Sequence, residues 1–280
     1  MTTTAGGIHP TAIVDPRARL GAGVSVGPGS IVGPDVELGD GVTIGAHAIL
    51  EGRVTVGARC RVGHGTIVGA PPQDLKFRAG TPAGVRIGED TVIREYVTIH
   101  HATREGGDTT VGRHCLLMTA THIAHDCVVG DDVIMINNAA LTGHVLVEDR
   151  ATVGGMSGLH PFTRLGFLGY IGGHSKVTQD VPPFVIADGV PAHGHSVNVI
   201  GMRRAGIDGA SRRQVQEAFR ILYRSGLAAG AAVARLRAEM GGTPLVARMA
   251  DFVASSKRGI VPAARGASEA EDARAEETVS

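Results

Sequence analysis

Four histidines lie close together near the middle of the chain, at spacings that could serve chemistry. They are His122, His125, His144 and His160, and Asp126 directly follows the second of them. Imidazole can accept a proton near neutral pH, so a histidine oriented by a neighbouring carboxylate is suited to general-base catalysis. The same residues also suit zinc, which needs three or four converging ligands. The residue types therefore leave two interpretations open, a general base or a metal site.

These histidines belong to a stretch in which an aliphatic residue recurs every six positions from Ile8 to Val177, apart from two excursions. Glycine often follows the aliphatic residue, as in Val26-Gly27. A period of six fits neither an α-helix nor an isolated strand. It is typical of a parallel β-helix, in which each repeat forms one short strand and one corner. The sequence therefore predicts a mainly β protein of about nine coils with a thin aliphatic core.

Three strands per coil would place residues that are 18 positions apart directly above one another. Gly143 then lies over His125, and His160 lies over Thr142. Because neighbouring coils are about 4.8 Å apart, we expect the four histidines to share one region of one face. A single surface histidine is most often inert, but four in one region favour a functional site.

The rest of the chain predicts loops, a helical region and a tail. The excursions, residues 70–84 and 101–110, lack the periodic aliphatic residue and are predicted to project from a β-helix domain of residues 1–185. Pro182-Pro183 is expected to end the coil. Apolar spacings of three and four then predict about three helices within a linker and helical domain of residues 186–261. Residues 262–280 are acidic, poor in apolar side chains and predicted to be disordered.

Composition sets limits on function. The chain has 27 basic and 27 acidic residues. Its net charge is therefore zero and gives no indication that it binds nucleic acid. No apolar run approaches the roughly 20 residues of a membrane span, and the first residues lack a signal pattern. We therefore expect a cytoplasmic protein without stable membrane insertion. Cys60, Cys115 and Cys127 predict neither a disulfide framework nor a zinc knuckle. The flat faces of the prism favour a homotrimer.

Longer motifs are carried on the repeats, and they are more specific than the repeat itself. They are Gln73-Asp74-Leu75-Lys76-Phe77, Leu117 to Cys127 with its Thr-His-Ile-Ala-His-Asp-Cys end, Asn137 to Val145, Gly154-Gly155-Met156 and Gln179 to Pro183. Together they resemble the family of acyl-carrier-protein–UDP-N-acetylglucosamine O-acyltransferases, which catalyse the first step of lipid A biosynthesis. The resemblance extends from about Ile8 to Arg258.

The resemblance implies a left-handed β-helix that transfers a 3-hydroxyacyl group from acyl carrier protein to the 3-position of the sugar of UDP-N-acetylglucosamine, with neither cofactor nor metal. It makes His125 the general base, Asp126 its support and the Gly143 amide the oxyanion donor. It assigns substrate binding to a further set: Gln73, Asp74, Lys76, His122, His144, Gly155, His160, Gly173, Asn198 and Arg204. Because acyl carrier proteins are acidic, we expect them to dock on the arginines that surround the first C-terminal helix, Arg203, Arg204, Arg212, Arg213, Arg220 and Arg224.

Two residues depart from the family pattern. Pro161 stands where the family usually has Gln, and Ile200 stands where it commonly has an acidic residue. These departures keep a catalytically silent UDP-sugar-binding homologue open as an alternative, beside a trimeric zinc hydrolase of the β-helical carbonic anhydrase type. Gly173 leaves room for a longer acyl chain and Tyr170 could fill it, so the sequence does not define the acyl length. Either a 3-hydroxyl or a 3-amino sugar would suit the same base.

Overall fold

A computed structural model describes residues 7–264 of the chain. Within them, the region from Ile13 to Val197 is built from short strands, and all but the last of these wind around a common axis. The strands are β1 (Ile13–Val14), β2 (Arg19–Leu20), β3 (Ser25–Val26), β4 (Ile31–Val32), β5 (Val36–Leu38), β6 (Thr43–Ile44), β7 (Ile49–Leu50), β8 (Arg53–Val56), β9 (Arg61–Val62), β10 (Ile67–Ala70), β11 (Gly84–Ile87), β12 (Val92–Ile93), β13 (Thr98–His100), β14 (Asp108–Val111), β15 (Leu116–Leu117), β16 (His122–Ile123), β17 (Val128–Val129), β18 (Ile134–Met135), β19 (Ala140–Leu141), β20 (Leu146–Val147), β21 (Thr152–Val153), β22 (Gly158–Leu159), β23 (Arg164–Leu165), β24 (Tyr170–Ile171), β25 (Lys176–Val177), β26 (Val185–Gly189) and β27 (Ala192–Val197).

From β4 to β25, each strand pairs in parallel with the strand three places earlier in the chain, which makes the three faces of a prism. The first sheet has nine strands from β1 to β25, the second has eight from β2 to β23, and the third has ten and ends with β26 and β27. Strand β16 pairs with β19 so that Ile123 lies beside Leu141, a register of 18 residues. These facts confirm the parallel β-helix predicted from the six-residue period.

The aliphatic residue of each repeat points into the prism, where it is almost completely buried. Leu50, Leu117, Ile123, Leu141 and Leu159 are all 0% exposed. Each buried aliphatic side chain contributes about 1.5–3 kcal/mol relative to an exposed one. The core is thus a continuous column, and each coil is stabilised by the coils above and below it.

The coil continues past Pro182-Pro183, where the sequence predicted its end. Val181 forms a parallel bridge with Leu165, and β26 pairs in parallel with β24. The two prolines lie in the corner between these pairings, where their missing N–H groups interrupt no ladder. Strand β27 then turns back antiparallel to β26. The segment predicted as a linker therefore begins as a β-hairpin.

Within the part of the chain that the structure describes, four helices follow the hairpin: α1 (Val199–Arg204), α2 (Gly209–Arg224), α3 (Ala229–Met240) and α4 (Pro244–Ala254). The last three match the helical periodicity of the sequence, whereas the short α1 was not predicted. Asn198 and Asp208 cap α1 and α2 by accepting hydrogen bonds from Gly201 N and Ser211 N. No helix within residues 7–264 is long and apolar enough to cross a bilayer. Most of the predicted tail, residues 265–280, lies outside the described part of the chain.

Two arginines hold the helices against the prism. Arg164 Nε pairs with the buried carboxylate of Asp180 at 2.8 Å, and Arg164 Nη2 donates to Phe252 O of α4 at 2.9 Å. Arg248 of α4 pairs with Glu148 of the prism at 2.7 Å. Charged hydrogen bonds of this kind fix the orientation of a packed helix more sharply than apolar contact does.

Candidate functional site

The corners that join the first sheet to the second lie one above another, and we call them the first corner column. Five successive coils contribute the loop of residues 71–83 between β10 and β11, the loop of residues 101–107 between β13 and β14, and the corners at residues 124–127, 142–145 and 160–163. Backbone hydrogen bonds link the last three, from His144 N to His125 O and from Phe162 N to Gly143 O. Both loops therefore project next to the histidines.

His125 and Asp126 form a hydrogen-bonded pair in this column. His125 Nδ1 lies 2.9 Å from Asp126 Oδ2, and the two side chains are 12% and 6% exposed. Because a carboxylate can only accept, His125 Nδ1 carries the proton and its Nε2 keeps a free lone pair. The ring is therefore oriented as a base that solvent and substrate can still reach.

The second loop fixes the carboxylate of Asp126. Thr103 donates to Asp126 Oδ2 through its hydroxyl at 2.6 Å and through its backbone N–H at 3.1 Å. Burial alone would raise the pKa of Asp126, but the hydrogen bonds from Thr103 and His125 outweigh burial and hold this pKa below its ordinary value. The carboxylate thus stays ionised and can stabilise a protonated imidazole.

Gly143 leaves open space beside the reactive nitrogen of His125. Its φ is +113°, a conformation that side-chain-bearing residues rarely adopt, and an added Cβ would lie 3.1 Å from both Cε1 and Nε2 of His125. The 18-residue register predicted this proximity. Any larger residue at position 143 would occupy the space that a substrate atom needs to approach Nε2.

His144 extends the site along the column. Its ring meets the ring of His125 edge to face at 5.1 Å and stacks on Phe162 at 4.5 Å with an interplanar angle of 7°. His144 Nε2 also lies 3.7 Å from Asp126 Oδ2. Phe162 is 60% exposed, so it offers an aromatic surface next to the base.

His122 lies on the face of the first sheet, beside the same corner. Its Nδ1 is 2.7 Å from the hydroxyl of Thr98, and its ring meets the buried His100 edge to face at 4.9 Å. Burial, together with the nearby His125, lowers the pKa of His122. The imidazole is therefore neutral at neutral pH and acts as a hydrogen-bonding group.

His160 lies one coil further along the column than Thr142, as the register predicted. Its Nδ1 is 3.4 Å from Nη2 of Arg258, a residue that follows α4. In the first loop, Asp74 accepts from Lys76 N at 2.9 Å, and Phe77 packs edge to face on His101 at 5.3 Å. Gln73, Lys76 and the intervening Leu75 are exposed.

The other predicted binding residues lie elsewhere on the prism. Gly155 and Gly173 stack at the corner between the third and first sheets, where an added Cβ on Gly173 would be 3.4 Å from Gly155 O. Asn198 and Arg204 line a groove of about 790 Å³ on the third sheet. Asn198 Nδ2 donates to Leu168 O at 2.9 Å, and its Oδ1 accepts from Gly201 N. One chain therefore does not bring these residues to His125.

The groove contains one of the two departures noted in the sequence, Ile200, whereas Pro161 lies in the first corner column next to His160. Ile200 is on its wall with Ile134, Leu168, Tyr170 and Ile186, which gives it a largely apolar lining. Arg150 and Asp132 stand at its edge and lie 3.7 Å apart. The ring of Tyr170 is a wall of this groove, on a different surface from the corner at Gly173.

Several residues of the site were not predicted. Thr103 lies in the predicted second loop, but nothing in its spacing showed that it would reach Asp126. Phe162 was not predicted, because a large apolar residue is expected in the core. The corner conformation, φ +64°, turns it outward. Arg258 approaches His160 from 98 positions away, a contact that only the folded chain reveals.

A metal could bind only at part of this site. Among residues 7–264, His125, Asp126 and His144 offer ligand atoms within 4.8 Å of one another. Only these three ligand atoms converge among the described residues, and His125 could offer a cation only its Nε2, because its Nδ1 already donates to Asp126. The geometry thus favours an oriented base over a closed zinc centre, which needs four ligands.

Family models match two parts of the chain. Residues 180–261 match domain 2 of UDP-N-acetylglucosamine O-acyltransferase, and residues 17–52 and 35–70 match the bacterial transferase hexapeptide of six repeats. Curated relatives named acyl-[acyl-carrier-protein]–UDP-N-acetylglucosamine O-acyltransferase include one from Burkholderia orbicola, 46% identical over 91% of this chain and 98% of its own. Another, from Thiobacillus denitrificans, is also 46% identical over the same shares.

Solved structures agree with these matches. A UDP-N-acetylglucosamine O-acyltransferase from Moraxella catarrhalis superposes with a TM-score of 0.87 at 38% identity, covering 91% of this chain and 99% of its own. A UDP-N-acetylglucosamine acyltransferase from Arabidopsis gives 0.82 at 32% identity over the same shares. The fold is thus a left-handed parallel β-helix with a small helical region. The chain belongs to the acyl-[acyl-carrier-protein]–UDP-N-acetylglucosamine O-acyltransferase family.

Proposed function

We propose that this protein transfers a (3R)-3-hydroxyacyl group from acyl carrier protein to the 3-position of the sugar of UDP-N-acetylglucosamine, the first step of lipid A biosynthesis. The relatives' names supply the two substrates. The observation that carries the proposal is the His125–Asp126 pair, with Nδ1 bound to a carboxylate and Nε2 open beside Gly143. This is the arrangement that a general base needs in acyl transfer.

In the proposed reaction, His125 Nε2 removes the proton of the sugar hydroxyl as its oxygen attacks the thioester carbonyl. The carbonyl oxygen becomes an oxyanion, and the amide of Gly143 is the proposed donor that stabilises it. The C–S bond then breaks, the new ester remains on the sugar, and the imidazolium returns its proton to the leaving thiolate. Asp126 stabilises the imidazolium throughout. General-base assistance is worth about 10²–10⁴ in rate.

The remaining residues are proposed to bind substrate. Asp74 and His122 would contact sugar hydroxyls, and His144 and His160 would line the nucleotide or donor groove. Gly155 and Gly173 would border the acyl chain. Arg213 and Arg220 are exposed on α2, and we propose that they contribute to docking of the acidic carrier protein. Charge reversal at both should raise KM for the carrier protein at low salt, and an unchanged KM would refute this docking surface.

A homotrimer would complete the site and is part of the proposal, as is a cytoplasmic location. Asn198 and Arg204 lie on a different surface from His125, so a neighbouring copy is needed to bring them to it. Gln73 and Lys76 are exposed on a projecting loop that could reach a neighbour. Val128 and Ile134 are aliphatic yet 45% and 37% exposed on the faces of the prism, which suits an interface between copies.

Mixing copies tests this arrangement. Copies carrying His125→Ala and copies carrying Arg204→Ala should each be inactive, whereas mixed trimers should regain part of the wild-type activity. Light scattering would establish the mass of the assembly. Failure to regain activity in demonstrably mixed trimers would contradict a shared site.

The reaction itself is tested with His125→Ala. Acyl transfer, followed by mass spectrometry with a series of 3-hydroxyacyl carrier proteins and with both 3-hydroxyl and 3-amino acceptor sugars, should fall by about 10²–10⁴. His47→Ala is the control, since His47 is also a corner histidine but lies exposed on the second coil, away from the first corner column. Near-wild-type turnover in His125→Ala would refute the mechanism.

The same preparations address the alternatives. A zinc hydrolase predicts stoichiometric metal, either at His122, His125 and a histidine of a neighbouring copy or at the cluster of His125, Asp126 and His144. We expect metal analysis to find none and transfer to survive chelation. A silent homologue, suggested by Pro161 and Ile200, would bind UDP-N-acetylglucosamine without transfer from any donor in the series. Each result is distinct from the one that the acyltransferase predicts.

A further inference from the structure

The segment after α4 returns to the prism and is held there by an unusually specific set of contacts. Gly259 O accepts from Asp180 N, and Val261 N donates to Asp180 O, both at 2.9 Å. Gln179 Nε2 also donates to Arg258 O at 3.1 Å. Gly259 has φ +72°, and an added Cβ would lie 2.9 Å from Gln179 Nε2. The backbone at Arg258 is therefore fixed against residues 178–181 of the prism.

The side chain of Arg258 points along the prism to His160. Its Nε donates to Thr178 O at 3.2 Å, and its Nη2 lies 3.4 Å from His160 Nδ1. A guanidinium has donors but no acceptor, so His160 Nδ1 must accept and cannot carry the ring proton. The proton of neutral His160 then sits on Nε2.

This tautomer is the opposite of the one at His125. There the partner is a carboxylate, which accepts from Nδ1 and leaves Nε2 as a lone pair. The first corner column thus contains two imidazoles in opposite tautomers. Nε2 of His125 can accept a proton, whereas Nε2 of His160 is an N–H donor. The difference follows from the neighbouring side chain, because a carboxylate only accepts and a guanidinium only donates.

We propose that Arg258 is a positioning residue that holds His160 as an Nε2–H donor toward an oxygen of the bound substrate. The inference rests on the proposed function in one respect, that His160 contacts substrate. Through Arg258, the end of the helical domain acts on the chemistry of the prism, in addition to being anchored there.

The tautomer can be read without any substrate. Protein labelled with [¹⁵N]histidine would be compared at about pH 8 as wild type, Arg258→Met and Arg248→Met, with His160→Gln used to assign the His160 signals. Arg248 is the matched control, because it also ties α4 to the prism but contacts no histidine of the site. We expect a non-protonated Nδ1 at His160 in wild type and Arg248→Met, and a tautomer mixture in Arg258→Met.

An unchanged tautomer in Arg258→Met, or the same change in Arg248→Met, would overturn the proposal. Kinetics give a second readout. Arg258→Met should lower kcat/KM about 10- to 100-fold, the worth of one hydrogen bond to a charged group, and should add nothing in a His160→Ala background. Independent losses in the double variant would also overturn it. If the wild type itself transfers no acyl group, the proposed function fails while the tautomer result still decides the role of Arg258.

Discussion

Replacing Asp126 by Asn should reveal whether this carboxylate supplies charge or orientation to His125. Three donors converge on Asp126 Oδ2: the Thr103 hydroxyl, the Thr103 N–H and His125 Nδ1. In the variant the amide oxygen should occupy the place of Oδ2. The flipped amide would instead put its NH₂ group against the two donors of Thr103, which is unfavourable. His125 then keeps its tautomer, and only the negative charge is lost.

The expected cost follows from that geometry. A hydrogen bond to a charged group is worth about 1.5–3 kcal/mol and a neutral one about 0.5–1.5 kcal/mol. The difference of about 1–1.5 kcal/mol predicts that kcat falls about 10-fold in Asp126→Asn. An amide held the wrong way round would instead give the wrong tautomer, which costs about 10⁴ in a comparable triad.

The assay is acyl transfer at saturating substrates, with circular dichroism to verify the fold. Thr103→Val serves as the companion variant, since it removes the hydroxyl that holds the amide in place. Asp126→Asn combined with Thr103→Val should therefore lose more activity than the two separate losses together. A fall of several thousand-fold in Asp126→Asn alone, or simple additivity with Thr103→Val, would refute the reasoning.

Three further predictions concern packing and protonation. Gly143→Ala should reduce kcat at least 10-fold with little change in secondary structure, because its Cβ would lie 3.1 Å from His125 Nε2 and strain the backbone by about 1–3 kcal/mol; wild-type kinetics would contradict this. Arg164→Met leaves the Asp180 carboxylate, 2% exposed, without its cation, so urea unfolding should show a loss of about 3–5 kcal/mol, whereas Arg164→Met with Asp180→Leu should recover part of it. Burial lowers the pKa of His100 to about 4 from 6.5, so the unfolded chain takes up a proton that the folded protein refuses. Stability should therefore be lost as pH falls from about 6.5 towards 4, by up to about 3 kcal/mol from His100. His100→Asn should reduce this slope to the part that other buried histidines such as His122 contribute; an equal slope in the variant would refute the assignment.

The sequence predicted the coil because its evidence is local and repeated. One aliphatic residue every six positions specifies strand, corner and core together, and the same period correctly placed Gly143 beside His125. The end of the coil was misjudged at Pro182-Pro183, because proline excludes a ladder position but not a corner. Short α1 was missed because six residues provide too few turns for a periodic signal.

Contacts that close long stretches of chain could not be predicted in this way. Thr103 reaches Asp126 only because the second loop leaves the prism at the corner directly beside it, and a count of residues does not give the path of a loop. Arg258 reaches His160 only after the helices have folded back on the prism. Asn198 is bonded within its own chain as a helix cap, a use that its side-chain chemistry permits but does not reveal.

The 18-residue register restricts how the length of this chain can change in evolution. Between His125 and Gly143 a single inserted or deleted residue would turn every later aliphatic side chain out of the core, and only multiples of 18 would return a residue to the same corner and face. The two loops are an exception, because residues inserted there project from the prism and do not change the register of the strands that follow. Indels among functional homologues should therefore be concentrated in residues 71–83 and 101–107, which are the segments that border the site, so that substrate preference can diverge by loop length while the base and its neighbours keep their places.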